Sequence, residues 1–211
     1  MNQPLRTTTP VLSASRRRRW KPSTAFAALA VAAIALAGCA ASPSPTGVDS
    51  AAQEILAAHG LTGLEVGDVV ERLDAMPVAD RPADLLASVE PDALVLRDAN
   101  GREGRLPLPR DAVYISVAPF RDQTHECHFH SLTTCIGELS DTEVRITLTA
   151  ADGTVLVDET RRTHDNGFTG LWVPRGIEAT LSVESAGFTG AVPISTTSPD
   201  DPTCITDLQL L

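Results

Sequence analysis

The apolar residues of this 211-residue chain change their period at Pro91, and that change restricts the fold more than any other feature. Before it, Ala51, Ala52, Ile55, Leu56 and His59 recur at helical spacing, and Gly60 is placed to end the helix. Val66, Val69, Val70, Leu73 and Met76 repeat the pattern, and Asp80 is placed to cap a third short helix through Leu85 and Leu86. After Pro91 the period is two. Leu94-Val95-Leu96 and Arg105-Leu106-Pro107-Leu108 flank Ala99-Asn100-Gly101, which predicts a hairpin. Residues 113–117 read as a buried strand, and 144–148, 154–157, 170–173, 180–183 and 203–210 as further strands. Gly-Phe-Thr-Gly at 167–170 and again at 187–190 predicts two similar turn-to-strand junctions. The expected class is α+β: a helical N-terminal region, 48–90, then a mainly antiparallel, β-sandwich-like region, 91–211.

The N-terminus predicts export. Arg16 to Arg19 and Lys21 precede an apolar, Ala-rich run over 25–37, the layout of a signal peptide covering 1–38. The run ends in Leu36-Ala37-Gly38-Cys39, which looks like a bacterial lipobox. That resemblance implies cleavage before Cys39, lipid on its sulfur, and an anchor on the outer face of the cell membrane. Residues 39–47, rich in Ala, Ser and Pro, suit a flexible tether. Ser15-Arg16-Arg17 resembles a twin-arginine start but lacks the usual Phe-Leu-Lys continuation, so general export is the default expectation. Six of the 17 basic residues and none of the 27 acidic ones fall in 1–38, so cleavage takes the formal charge from −10 to −16. Such a surface disfavours nucleic acid and anionic substrates.

With Cys39 lipidated, three thiols remain: Cys127, Cys135 and Cys204. An odd set cannot pair fully within one chain, even where oxidation favours pairing. Two of them lie in His125-Glu126-Cys127-His128-Phe129-His130 and just beyond it, so imidazoles and thiols share one short stretch. Thiolates favour Cu(I) and zinc, and a His could complete a zinc set. An extended stretch would place His125 with Cys127 on one face and His128 with His130 on the other. His125 is thus an auxiliary ligand candidate, while His128 and His130 read as solvated loop residues. Cys127 and Cys135 could equally form a disulfide, with Cys204 as a small buried hydrophobe. The residues alone leave both readings open.

Three blocks resemble the CueP family of exported copper-binding proteins: Ala118-Pro119-Phe120, residues 123–135 from Gln123 to Cys135, and Gly137-Glu138-Leu139. So do Asp165-Asn166-Gly167-Phe168 with Trp172, Thr203-Cys204-Ile205-Thr206, Glu71-Arg72-Leu73-Asp74 and Arg81-Pro82-Ala83-Asp84-Leu85. The similarity runs from about Glu71 to Leu211. It implies that Cys127, Cys135 and Cys204 occupy the family's three copper-binding positions. It also implies copper resistance, holding of Cu(I) or reduction of Cu(II), and supply to an exported Cu/Zn superoxide dismutase. An N-terminal part is implicated in homodimer formation, and a β-rich part follows it. The lipobox is a departure, since the family's better-known enterobacterial members look like soluble periplasmic proteins.

The leading expectation is a membrane-anchored protein that holds Cu(I) through the three cysteines, with zinc as a substitute ion. The alternatives are a thiol-dependent Cu(II) reductase and a β-binding module stapled by a disulfide. No Gly-rich phosphate loop, no Ser-His-Asp ordering with supporting context and no basic aromatic surface points elsewhere.

Overall fold

A computed structural model describes residues 49–211; the signal peptide, Cys39 and the tether lie outside the described residues. Helix α1 spans Ser50–Ala58, and Asp49 caps it by accepting from the backbone N–H groups of Ala51 and Ala52. It ends as Gly60 predicts. Gly60 takes φ +68°, the Leu61 N–H donates to Leu56 O at 2.9 Å, and the Gly60 N–H to Ala57 O at 3.3 Å. That pair of bonds is a Schellman ending, closed by the apolar contact of buried Leu61 with Leu56. Helix α2, Val66–Asp74, buries Val69, Val70, Leu73 and Asp74. No helix among the described residues is long and apolar enough to cross a membrane.

The third helix is a correction. Asp80 closes a single 3-10 turn, Val78–Asp80, and Leu85 begins strand β1, Leu85–Val89. Pro82 disfavours helical backbone at the residue before it, and Arg81 is accordingly extended at φ −65°, ψ 130°. Beyond it, Leu85, Ala87 and Val89 are buried while Leu86 is exposed, which is the alternation of a strand covered on one face.

Strands β2, Ala93–Asp98, and β3, Glu103–Pro107, form the predicted hairpin. They extend β1 into an antiparallel sheet ordered β3-β2-β1-β5, where β5 is His130–Ser131. Helix α1 packs on it. A Cβ on Gly104 of β3 would lie 2.3 Å from the Ala52 nitrogen, so only glycine lets helix and strand approach this closely.

The other two sheets make the sandwich. One is antiparallel, ordered β10-β9-β6-β7, from β6 Glu143–Ala150, β7 Val155–Arg162, β9 Glu178–Ser185 and β10 Phe188–Ser195. The second places β4, Ala112–Val117, between β8, Thr169–Pro174, and β11, Cys204–Ile205. Pairing with β8 is antiparallel and with β11 parallel. Both Gly-Phe-Thr-Gly segments lead into strands, with Gly167 at φ +79° and Gly187 at φ +87°. The expected strand over 203–210 is regular only at Cys204–Ile205. Beyond it the chain still tracks Phe120, through Phe120 N–H to Leu208 O and Leu210 N–H to Phe120 O. The chain is therefore α+β with mainly antiparallel, sandwich-like sheets and no closed barrel among the described residues.

Strand β4 belongs to both cores because its side chains alternate. Val113, Ile115 and Val117 enter the sandwich core, whereas Tyr114 packs with α1, α2 and the first sheet. Ser116 points the same way as Tyr114, and both reach Asp74 at the end of α2. The candidate site sits where these layers meet.

Candidate metal centre

The loop before β5 is irregular, so strand alternation does not apply over 125–129. Backbone bonds to the far end of the chain hold it. The N–H groups of Thr203 and Cys204 donate to His128 O at 2.9 and 3.1 Å. The His130 N–H donates to Thr203 Oγ1, and that hydroxyl donates to Val89 O on β1. Further upstream, one Glu138 carboxylate oxygen accepts from the N–H groups of Arg121, Asp122 and Gln123, which holds that carboxyl below its usual range. These bonds bring Cys127 beside Cys204 across a sequence separation of 77.

Cys127 and Cys204 form a disulfide, with their Cα atoms 5.7 Å apart. Cys135 is the free thiol, brought back toward them by a turn in which its N–H donates to Ser131 O. The Cys127–Cys135 pairing that the sequence leaves open is therefore not the one formed, although those two sulfurs are only 3.5 Å apart. Cys135 belongs to two potential ligand groups. His125, Cys127 and Cys135 place their donor atoms within 4.8 Å of one another, and so do His130, Cys135 and Cys204. The first group faces solvent through His125, at a cleft of about 530 Å³ lined also by Gln123, Thr134 and Glu138. The second is buried throughout.

The structure corrects the reading of His130 as a solvated loop residue. It is fully buried, with Nδ1 at 3.6 Å from Cys204 Sγ and Nε2 at 2.9 Å from Asp74 Oδ1. His128 does stay exposed, at 3.0 Å from Asp200 O. Sequence periodicity misses His130 because it enters a ladder only at the residue itself. Asp74, 56 positions earlier, carries no sequence signal beyond its place in the Glu71–Asp74 block.

Asp74 is a buried acceptor for four side chains. Tyr114 OH donates to Oδ2 at 2.6 Å and Ser116 Oγ at 3.1 Å, while His130 Nε2 and Asn166 Nδ2 reach Oδ1 at 2.9 and 3.3 Å. Burial opposes its ionisation, but the His130 bond and charge with the Tyr114 hydroxyl outweigh that and hold the carboxyl at about 2. Burial likewise opposes charge on His130, yet the bonds to Asp74 and to the Cys135 sulfur raise it to about 9. For Cys135, burial pushes the thiol up, while His130 and the nearby Arg81 bring it below its ordinary value. Phe168 floors the cluster, fully buried, with its ring centroid 4.5 Å from that of His130 and 6.2 Å from that of His125. Gly167 and Gly137 lock that floor to the Cys135 turn. A Cβ on Gly167 would lie 2.5 Å from Gly137 O, and the Gly137 N–H donates to Asn166 O at 2.7 Å.

The pair has a pH signature. Because the folded value of His130 lies above its ordinary 6.5, the stabilisation is complete below about pH 6.5 and lost as pH rises through about 9. Asp74, shifted down, contributes above its ordinary value of 3.8 and loses that contribution as pH falls through about 2. Urea unfolding of the metal-free protein is expected to show stability falling between pH 6.5 and 9, at less than about 1.4 kcal/mol per pH unit because the lowered Cys135 thiol contributes in the opposite sense. A His130→Gln variant should flatten that slope; an equal slope in both proteins would contradict the assignment.

The family model described as "Periplasmic copper-binding protein CueP" matches residues 68–209. The chain belongs to the CueP family. It is also similar to S.CueP, a protein of known crystal structure, at 37% identity and a TM-score of 0.71, over 76% of this chain and 97% of that one. No curated protein matches it. The CueP match takes in Asp74, the loop with Cys127 and Cys135, Phe168 and Cys204, so the whole cluster lies within the family's span.

Proposed function

We propose that this protein binds copper outside the cytoplasm, holding Cu(I) through Cys127, Cys135 and Cys204, with His125 as an auxiliary ligand at the solvent side. The observation that carries this is the meeting of three sulfurs from distant segments, with Cys135 common to both donor groups. Thiolates and imidazoles are the donors that suit Cu(I), and they would also accept zinc. Membership of a family described as periplasmic and copper-binding supports the same reading. Binding through all three sulfurs requires the Cys127–Cys204 bond to be reduced.

Anaerobic titration of the reduced protein with Cu(I) against a competing chelator is expected to give a tight stoichiometric endpoint. A triple Cys→Ser variant should lose more than the roughly 10–100-fold that removing an outer partner of a ligand costs. Affinity should fall in acid, because thiolates must shed protons to bind. Binding unchanged in the triple variant would sink the proposal.

The disulfide beside a free thiol favours a second reading, thiol-dependent reduction of Cu(II). Two Cu(II) ions would take one electron each from the Cys127 and Cys204 thiols. The S–S bond forms, two protons leave, and Cys135 stays reduced to hold the product. Rapid loss of Cu(II) matched by loss of two thiols supports this step; intact thiols after mixing refute it.

Lipid on Cys39 would tether this activity to the outer face of the membrane. A tether of about ten residues reaches no more than about 35 Å, so an acceptor such as an exported Cu/Zn superoxide dismutase would receive copper close to that surface. Homodimer formation through the N-terminal region fits the same family pattern.

A further inference from the structure

We propose that Asp74 is the positioning residue of the sulfur cluster, fixing the His130 imidazole with Nε2 held in the fold and Nδ1 presented to the Cys135 and Cys204 sulfurs as a buried donor. The inference rests on the three-cysteine reading of the site and adds to it a residue from the helical region.

The geometry leaves the ring little choice. A buried carboxylate can only accept, so the His130 nitrogen 2.9 Å from Asp74 Oδ1 must carry the hydrogen. The other nitrogen then faces Cys204 Sγ at 3.6 Å and shares the 4.8 Å group with Cys135. Phe168 packs on the ring at 4.5 Å between centroids and blocks a flip. Asp74 is itself immobilised. Tyr114 and Ser116 from β4 occupy Oδ2, and Asn166 holds its carbonyl oxygen at 2.9 Å as well as Oδ1. A carboxylate, an imidazole and a soft donor group in line reproduce the arrangement by which proteins orient histidine ligands and raise their basicity. The end of α2 therefore reaches the cluster through a rigid chain of contacts.

X-ray absorption of the Cu(I)-loaded protein, paired with chelator competition, tests this. The wild type is expected to show sulfur and imidazole scattering together. Asp74→Asn should keep the sulfur shell, lose the part of the imidazole scattering that His130→Gln also removes, whatever share His125 supplies, and weaken Cu(I) binding by about 10–100-fold. Unchanged scattering and affinity in Asp74→Asn overturn the proposal. Copper bound by sulfur alone in the wild type overturns it too while leaving the three-cysteine reading intact, whereas failure to bind Cu(I) removes both. Should Asp74→Asn fail to fold, the wild type decides. Cu(I)-loaded protein labelled with 15N-histidine should show a downfield, exchange-protected hydrogen on His130 Nε2, and an unprotected Nε2 or copper on that atom refutes the assignment.

Discussion

Replacing Asp74 with alanine is expected to cost the fold about 3–5 kcal/mol, the range for removing one partner of a buried charged pair. The substitution leaves His130 buried without its counter-charge and strips acceptors from Tyr114, Ser116 and Asn166. These donors come from β4, β5 and the turn before β8, so the loss falls where α2 joins the sheets. In a protein of this size each kcal/mol moves the melting temperature by roughly 2–4 °C, so a drop on the order of 10 °C is expected. Thermal and urea unfolding of the metal-free proteins measure it. Asp74→Asn keeps the shape and part of the bonding and should lose less. A change under about 1 kcal/mol in the alanine variant would mean that the carboxylate does not hold these segments together.

Phe168→Ala is expected to destabilise by about 3–5 kcal/mol, the usual cost of emptying a buried phenylalanine site. The ring is fully buried between the two imidazoles and packs with Ala118, Cys127, Cys135 and Cys204. Collapse into the space is limited on one side by the Gly137–Gly167 contact, where backbone already meets backbone. The cavity would open beneath Cys135, so its alkylation by a small thiol reagent should accelerate along with the loss of stability. Phe168→Leu, closer in volume, should recover most of both effects. Stability lost without any gain in Cys135 reactivity would show that the ring supports the core and does not shield the thiol.

Much of the fold can be read directly because it depends on local pattern. The Gly60 helix ending, the 94–108 hairpin and the two Gly-Phe-Thr-Gly junctions are each decided within a few residues, whereas the change to a period of two comes at Leu85 and not at Pro91. Residues 85–89 go the other way because their local signals conflict. Leu85 and Leu86 suit a helix by composition, but Pro82 forces extended backbone ahead of them and the sheet then claims Leu85, Ala87 and Val89. Export agrees with the periplasmic description of the family, and lipidation is read from Leu36 to Cys39.

For the cluster, counting thiols after reading Cys39 as lipidated leaves Cys127, Cys135 and Cys204 as an odd set, with Cys204 open to a metal-binding or a core role. An odd set in an exported chain has to be explained by something other than simple pairing. Counting shows which thiols are available, and the family resemblance implies that the three form one set. Folding in three dimensions settles the rest: Cys127 pairs with Cys204, Cys135 stays free between two imidazoles, and His130 is buried on Asp74. The cause is distance along the chain. A carboxylate at the end of α2, an imidazole on a two-residue strand and a thiol near the C-terminus share no local period. Burial in one low-dielectric layer makes each need the others.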